Sequence, residues 1–386
     1  MNSEKISLRK IPIAIPSLTN EEWEAVREPL LSGWLTQGPK VAAFEKEFSD
    51  LHQVKHGLAV TSCTTGLHLA LTALGVGPGD EVIVPAFTWV ATANVVLYCG
   101  ATPVFCDVDT ATFNIKVEDI LSKITPRTKA IIPVHLFGLC ADIDSIKKII
   151  PPHVKILEDA ACAAGASYKN RSAGSLGDIA AFSFHPRKSI TTGEGGMVTT
   201  NNRDLARLSE IMRNHGAEIS EEVRHQSPKP YLLPDFKVLG FNYRMTDIQA
   251  AIGLIQLSKL RALIEERQQW ATYYTEQLKD ILWLRPQYQP AYATQHAWQA
   301  YVCYVDPKLA PLPRNEIMEI LQKKGIATRP GTHAVHMLTL YKEKYGIKPE
   351  DFPGARACDQ NTMAIPLHNK MTQEDFDYVV DSLKSI

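Results

Sequence analysis

A lysine and an acid, each close to the end of its own apolar run, are the residues of this sequence best suited to chemistry. Lys188 follows the run Ile179–Phe184 and precedes a glycine-rich loop at residues 193–196. Asp159, 29 positions upstream, lies at the end of the run that starts at Val154. Pyridoxal phosphate chemistry requires such a pair, because the amine forms a Schiff base with the aldehyde and the carboxylate keeps the pyridine nitrogen protonated. The sequence therefore predicts a pyridoxal phosphate enzyme with Lys188 and Asp159 as its catalytic residues.

The elements that must position this pair alternate between strand and helix over the first two thirds of the chain. This alternation predicts an α/β fold with a mostly parallel sheet covered by helices on both faces. The predicted strands are Leu58–Ser62, Glu81–Pro85, Thr102–Asp107, Ala130–His135, Lys155–Glu158, Ile179–Phe184 and Gly196–Thr200. The predicted helices between them are Leu67–Leu74, Val90–Tyr98, Ile143–Ile150 and Leu205–Asn214.

A long helix, capped by Thr246 and running toward Leu278, separates this region from a different one. Beyond Pro286 the sequence is first loop-like and then resembles a smaller α+β unit. Its predicted elements are Tyr301–Val305, Asn315–Lys324, Ile326–Arg329 and the last helix, Gln373–Leu383. We therefore predict a large domain at 1–265 and a small C-terminal domain at 266–386.

Composition excludes several classes of partner. The formal net charge of -1 argues against a nucleic acid or an anionic membrane surface, since both need a concentrated basic face. Seven scattered cysteines without a C-x-x-C motif indicate reduced thiols. No apolar stretch reaches the length of a membrane span and no signal peptide is visible at the N-terminus. We expect a soluble, cytoplasmic protein.

Several candidate residues have an ordinary structural explanation beside the functional one. The segment Ala59–Leu67 reads as a strand, small hydroxyl residues and a helix start, which would hold a phosphate or form a plain N-cap. Trp89 follows a strand end, where it would stack on a cofactor ring or lie in the core. Lys188 by itself would be a surface lysine, but the neighbouring glycines indicate a close approach of the backbone to another group.

Other motifs fail their tests. Residues 75–79 have the wrong spacing and context for a dinucleotide-binding loop, and the sequence contains no P-loop. His333 and His336 have a spacing that could bind a metal on a helix, but no third ligand lies near them. We therefore predict no metal and a loop that contacts substrate or nothing.

Six segments together resemble one known family. They are Leu35–Pro39, Ser62–Leu67, Glu158–Ala161, Ser183–Pro186 with Lys188, Thr191–Gly196 and Gly240–Met245. From about Ile11 to the last helix, the chain is similar to the DegT/DnrJ/EryC1/StrS aminotransferases. These are fold type I pyridoxal phosphate enzymes that act on nucleotide-linked keto sugars. The resemblance implies that fold and that substrate class.

The resemblance also implies roles for individual residues. Lys188 matches the Schiff-base lysine and Asp159 the partner of the pyridine nitrogen. The residues that match phosphate ligands and the ring-stacking aromatic are Thr64, Thr65, Ser183 and Trp89. Asn242 matches a residue that reaches the neighbouring subunit's phosphate, which implies a homodimer with shared active sites. The residues that match substrate positions are Thr36 for the sugar, Arg244 for the carboxylate of the amino donor, and His333 and His336.

Cys162 departs from the family pattern, in which glutamine or histidine is frequent beside the cofactor's phenolic oxygen. Cysteine is a weaker hydrogen-bonding partner, so this contact is changed.

The predicted reaction transfers an amino group from L-glutamate to the ketone of a nucleotide-linked sugar, with a 4-keto-6-deoxy sugar expected, in cell-surface polysaccharide or secondary-metabolite biosynthesis. Lys188 would move the α-proton, and we expect burial and the cofactor to lower its pKa for this role. Three alternatives remain: a sugar dehydratase, an amino-acid lyase or desulfurase, and a non-catalytic regulator that binds the cofactor. Lys188 argues against the dehydratase, since the known ones carry histidine there.

Overall fold

The computed structural model describes residues 9–218, 229, 231 and 233–386, and its centre is a seven-stranded sheet. The strands of the described chain, numbered in order, are β1 His56–Val60, β2 Glu81–Pro85, β3 Phe87–Thr88, β4 Thr102–Cys106, β5 Thr128–Ile131, β6 Lys155–Asp159, β7 Ser167–Tyr168, β8 Arg171–Ser172, β9 Ile179–Ser183, β10 Gly196–Thr200, β11 Leu284–Pro286, β12 Tyr301–Val305, β13 Arg329–Pro330, β14 His333–Ala334 and β15 Thr362–Ile365.

The central sheet has the order β1-β10-β9-β6-β5-β2-β4. Strand β10 runs antiparallel to both of its neighbours, and the remaining pairs are parallel. Side chains alternate between two cores, so that Val82 and Val84 pack on one face and Ile83 on the other. Burial on both faces explains why these strands read as continuous apolar runs. The predicted α/β fold with a mostly parallel sheet is confirmed.

Helices cover both faces of this sheet and connect its strands. The described α-helices are Asn20–Ala25, Arg27–Ser32, Pro39–Leu51, Cys63–Ala73, Ala91–Tyr98, Val117–Ile120, Ile143–Ile149, Arg203–Arg213, Asp247–Leu278, Arg314–Lys323, Thr339–Tyr345, Pro353–Asn361 and Gln373–Lys384. Short 3-10 turns occur at Leu121–Lys123, Leu136–Gly138, Val335–Met337 and Pro349–Asp351. None of the helices in the described ranges combines the length and the apolar character that crossing a membrane requires.

The long helix Asp247–Leu278 joins two hydrophobic cores. Thr246 caps it in a capping box with Gln249, as its sequence predicts. Its first half, including Leu263, packs into the core of the large sheet, whereas Ala271 and the residues after it pack into a second core. That second core lies on the antiparallel sheet β11-β12-β15-β13. The boundary at 265/266 stays a prediction.

Many contacts cross the predicted division of the chain, and two backbone pairings illustrate them. Ile11 forms a parallel bridge with Ile326 and packs into the second core, so the start of the described chain associates with the C-terminal unit. In the opposite direction, β14 pairs with β3 of the large unit. This second contact brings residues 333 and 334 to the central sheet, where the candidate site lies.

One predicted strand, Ala130–His135, differs clearly from the observed β5, which is Thr128–Ile131. Pro133 has no N–H group and interrupts the ladder. Its carbonyl still accepts a hydrogen bond from Asp159 N at 3.0 Å, and His135 N donates to Asp159 O at 3.0 Å. The chain therefore stays beside β6 without forming a regular strand.

Candidate active site

Lys188 and Asp159 follow two strands that end at the same edge of the sheet. β6 ends at Asp159 and β9 at Ser183, and the two strands pair in parallel, with Asp159 opposite Ala181. Lys188 comes five residues after the end of β9, in a turn where its N–H donates to His185 O at 2.8 Å. Carboxyl ends of parallel strands form a crevice at one edge of such sheets. The fold therefore assembles the pair that the sequence singled out.

Asp159 is a buried carboxylate with few partners. Its side chain is 5% exposed, accepts a hydrogen bond from Thr92 Oγ1 at 2.8 Å and another from Ala161 N at 3.2 Å. Burial raises the pKa of Asp159, and these hydrogen bonds together with the Lys188 charge only partly oppose this effect. A cationic N–H donor placed against this carboxylate would stabilise its ionised form. The protonated nitrogen of a pyridine ring is such a donor.

Thr92 is a site residue that sequence reasoning missed. It is completely buried in the first turn of helix Ala91–Tyr98, and its hydroxyl also lies 3.0 Å from that of Thr88. The two threonines are four positions apart, after the end of β2. The sequence signal that could have identified Thr92 is this pair of threonines, four positions apart on either side of Trp89.

Lys188 points toward Cys162 rather than into solvent. Its Nζ donates to Cys162 Sγ at 3.1 Å. Burial by itself lowers the pKa of Lys188, but the two nearby thiols of Cys162 and Cys63 and the Asp159 carboxylate outweigh burial and raise it. Burial and the bound cofactor together were expected to lower this pKa; in the protein alone the neighbouring groups outweigh burial, and the expectation for the cofactor-bound site stays a prediction.

A helix start lies at the same edge. Ser62 caps helix Cys63–Ala73 in a capping box: Thr65 N donates to Ser62 Oγ at 3.1 Å, and Ser62 N donates to Thr65 Oγ1 at 3.0 Å. The Thr65 hydroxyl thus has a structural role. The N–H groups of Cys63 and Thr64, at the first two helical positions, have no partner among the described hydrogen bonds. The cap is therefore observed, and the role of this helix start as a phosphate site stays a prediction.

The backbone of β10 packs tightly against this helix start. A Cβ on Gly196 would lie 2.6 Å from the Ser62 carbonyl carbon and 2.7 Å from Cys63 N, which explains the glycine there. Gly196 pairs with Ser183, and the Ser183 hydroxyl is buried and accepts a hydrogen bond from His185 N at 3.4 Å. Thr64, Ser183 and the helix start therefore belong to one part of the edge.

Trp89 is not a core residue. It is 61% exposed, and its ring centre lies 5.5 Å from that of His333 at an angle of 60°. The pairing of β14 with β3 places the two rings side by side. Sequence reasoning named both residues separately, and the tertiary structure joins them at the mouth of the site.

Asn242 and Arg244 lie along the outer side of β1. The backbone of Arg244 bridges to Val60, and that of Asn242 bridges to Asn214. The Arg244 guanidinium donates to Asn214 Oδ1 at 2.6 Å, so in this chain it has a local acceptor. Thr36 is exposed, and its carbonyl accepts from Asp247 N at 3.1 Å at the start of the long helix. The contacts described for these three residues are with Val60, Asn214 and Asp247 and not with Lys188 or Asp159.

His336 lies in the core, in contrast to the prediction that it contacts substrate. It is 0% exposed, its Nε2 is 3.4 Å from Pro349 O, and its ring is 4.9 Å from that of Phe352. The one-turn 3-10 helix Val335–Met337 rotates it away from His333. We correct this assignment because the two histidines do not share a face.

Glu158 is a second buried acid beside the pair, and the sequence analysis predicted no role for it. Its carboxylate accepts from His135 Nε2 at 2.8 Å and from the N–H groups of Gly174, Leu176 and Gly177 at 2.6–2.9 Å. Burial alone would raise the pKa of Glu158, but the His135 ring and these N–H groups lower it overall. This network fixes the end of β6 and thereby the position of Asp159.

The chain matches known proteins over nearly its full length. Residues 16–384 match the model of the DegT/DnrJ/EryC1/StrS aminotransferase family. The chain is 39% identical to the spore coat polysaccharide biosynthesis protein SpsC of Bacillus subtilis, with 97% of each chain covered, and 39% identical to GDP-perosamine synthase of Caulobacter vibrioides, with 98% of this chain and 99% of the relative covered. The structure of Spr1654 from Streptococcus pneumoniae in its PLP form superposes with a TM-score of 0.90 at 30% identity, covering 98% of each chain. The predicted fold type I architecture is confirmed.

Proposed function

The chain belongs to the DegT/DnrJ/EryC1/StrS aminotransferase family, and from this premise we propose that it transfers an amino group from L-glutamate to the ketone of a nucleotide-linked sugar. We propose further that the sugar is a 4-keto-6-deoxy sugar and that the product enters a polysaccharide. The names of two relatives, a polysaccharide biosynthesis protein and a GDP-perosamine synthase, support this direction. The observation that carries the proposal is the placement of Lys188 and Asp159 at one sheet edge.

The residues at this edge fit pyridoxal phosphate. Asp159 would face the ring nitrogen, Trp89 would stack on the ring, and the N–H groups of Cys63 and Thr64 with the Ser183 hydroxyl would hold the phosphate. Cys162 lies next to Lys188 Nζ and would replace the family's usual glutamine or histidine near the phenolic oxygen. When bound, the cofactor supplies an electron sink for the bond that breaks at the donor's α-carbon.

The chain's own residues would hold and move protons. Lys188 Nζ would remove the proton from the donor's α-carbon, a step that requires the neutral amine. In the protein alone its pKa is raised by Cys162, Cys63 and Asp159. The proposed role therefore requires that the bound cofactor and substrate lower this pKa. Pairing of Asp159 with a ring N–H group would reduce the effect of one of these three neighbours on the Lys188 pKa. The thiol of Cys162 is the neighbour that stays closest.

The test follows the two half-reactions. L-Glutamate added alone should convert the yellow chromophore to the amine form, as seen by loss of its visible absorbance. A panel of 4-keto and 3-keto nucleotide sugars with glutamate, followed by mass spectrometry, should then show one aminated product. A lyase would leave the chromophore unconverted by glutamate, and a dehydratase would release water from the sugar without incorporating nitrogen. Either outcome excludes the proposed reaction.

A further inference from the structure

Two arginines beside the Lys188 loop have no carboxylate partner. No ion pair within the described ranges includes Arg187 or Arg329. Arg329 is half-buried at the start of β13, and its Nε is shielded from solvent without a hydrogen-bonding partner. A buried guanidinium N–H without an acceptor costs free energy, so the position is explained if a ligand supplies the acceptor.

The tertiary structure brings both arginines to the candidate site. Gln299, a buried residue of the C-terminal unit, donates through Nε2 to Arg187 O at 2.7 Å and ties the Lys188 loop to that unit. Burial lowers the pKa of Arg329, and the Arg187 charge lowers it further, whereas Cys162 opposes these effects. Arg329 thus lies close enough to Arg187 and to the Cys162 thiol beside Lys188 for both groups to affect its pKa.

The pKa of His185 is affected by the same concentration of positive charge. Burial lowers its pKa, Glu194 opposes this, and Lys188, Arg187 and Arg329 lower it further. Three cations therefore act on one position at the mouth of the site. Like charges in a partly buried region repel each other, and a bound anion would offset this repulsion.

We propose that Arg329, assisted by Arg187 at the rim, binds a carboxylate of the amino donor. This assignment rests on the proposed aminotransferase function. It differs from the family resemblance, which implies this role for Arg244. The Arg244 guanidinium already has Asn214 Oδ1 as an acceptor. The donor's nitrogen must reach the position of Lys188 Nζ, and its α-carboxylate is only two bonds away from that nitrogen. An anion site beside Cys162 fits this short separation, since Cys162 Sγ is 3.1 Å from Lys188 Nζ.

The diphosphate of the nucleotide sugar is the other possible anion. It is separated from the ketone carbon by the sugar ring, so its position lies further from Lys188. Binding measurements on the holoenzyme separate the two anions. Succinate, an unreactive dicarboxylate, stands for the donor, and GDP, UDP and dTDP stand for the sugar's nucleotide.

Isothermal titration calorimetry of the Arg329→Gln variant should show succinate affinity reduced about 10- to 100-fold, the loss typical of a charge-assisted hydrogen bond. Arg187→Gln should weaken succinate severalfold, and because Arg187 is exposed this variant should fold normally. Arg329→Lys should give an intermediate affinity. Arg285→Gln is the matched control, because this arginine lies over Tyr304 in the same C-terminal sheet and should leave succinate binding unchanged.

Three results would overturn the proposal: wild-type protein that does not bind succinate, unchanged succinate affinity in both Arg329→Gln and Arg187→Gln, or a loss of nucleoside diphosphate binding instead. A selective loss in Arg244→Gln would return the role to Arg244. The proposed function is tested separately, by whether glutamate removes the visible absorbance of the wild-type chromophore. Failure of that response together with Arg329-dependent succinate binding would reject the aminotransferase reaction and keep the anion site.

Discussion

At the scale of single residues, the contact between Lys188 Nζ and Cys162 Sγ at 3.1 Å lies at the proposed reactive centre. Borohydride reduction of the purified holoenzyme should fix the cofactor on Lys188, because this partly buried amine follows β9 at the sheet edge. Lys188→Ala should keep its secondary structure, hold the cofactor only non-covalently and lose amino transfer. Peptide mapping by mass spectrometry checks the attachment site. Lys155→Ala, a change at a partly exposed lysine, serves as control. A label on any lysine other than Lys188 would refute the assignment.

Asp159 is expected to act through its charge. Asp159→Asn should retain the attachment to Lys188 but reduce turnover by on the order of 10²–10³-fold, because the amide cannot stabilise a protonated ring nitrogen. Steady-state kinetics together with the absorption spectrum measures this. Thr92→Val removes the 2.8 Å hydrogen bond to Asp159 and the 3.0 Å contact with the Thr88 hydroxyl but keeps the carboxylate, so it should reduce turnover less. Near-normal turnover of the asparagine variant would show that the electrostatic role is wrong.

At the scale of elements, the network around Glu158 should make the end of β6 sensitive to acid. The pKa of Glu158 is lowered from its ordinary value of 4.5, so its stabilising contribution is complete above that pH and is lost as the pH falls through the folded-state pKa. At pH 7, Glu158→Gln should cost about 3 kcal/mol, because an amide would direct N–H donors toward backbone N–H groups.

Urea unfolding midpoints at pH 7 and below pH 4.5 test this effect. The difference between wild type and Glu158→Gln should narrow toward acid, since protonation removes the charge that the substitution also removes. A difference that stays constant or widens below pH 4.5 would contradict the assigned direction of the pKa shift. Asp178→Asn is a suitable control, because its pair with Lys155 is long, at 3.5 Å, and the asparagine oxygen can still accept the hydrogen bond from Ile156 N.

At the scale of the whole molecule, the segment that leads to Asn242 exposes large apolar side chains. Leu233 and Leu239 are 83% and 84% exposed, and they lie in the segment that leads to Asn242. Apolar side chains this exposed, close to a residue matched to the partner's phosphate, fit a symmetric dimer with shared sites. We propose this assembly, in which Asn242 contacts the cofactor of the partner.

Subunit complementation tests the shared site. Lys188→Ala and Asn242→Asp proteins should each be inactive, the second because a carboxylate repels the phosphate. Random exchange should give heterodimers with one intact site, so that activity returns to about a quarter of wild type. Native mass spectrometry must confirm the exchange, and a mixture of Lys188→Ala with itself is the control. A mixture that exchanges but stays inactive would place Asn242 in the site of its own chain.

The sequence by itself predicted most of the strands of the sheet and the pair Lys188 and Asp159. Strands buried on both faces read as apolar runs, which is why Glu81–Pro85, Gly196–Thr200 and Tyr301–Val305 were predicted with their observed bounds. The cap of the long helix was equally visible, because Thr246 and Gln249 interact within one turn. Asp159 and Lys188 were identified from an equally local signal, a polar residue at or shortly after the end of an apolar run.

Only the tertiary structure decided how distant segments meet. The pairing of β14 with β3 places His333 beside Trp89 and sends His336 into the core, an outcome set by residue pairs 245 and 247 positions apart in the chain. The direction of the Lys188 pKa shift depends on Cys63, Cys162 and Asp159, which no local pattern joins. Long-range packing also leaves the buried Nε of Arg329 without an acceptor among the described residues. Burial and electrostatic neighbours depend on three-dimensional proximity, which local periodicity in the sequence does not encode.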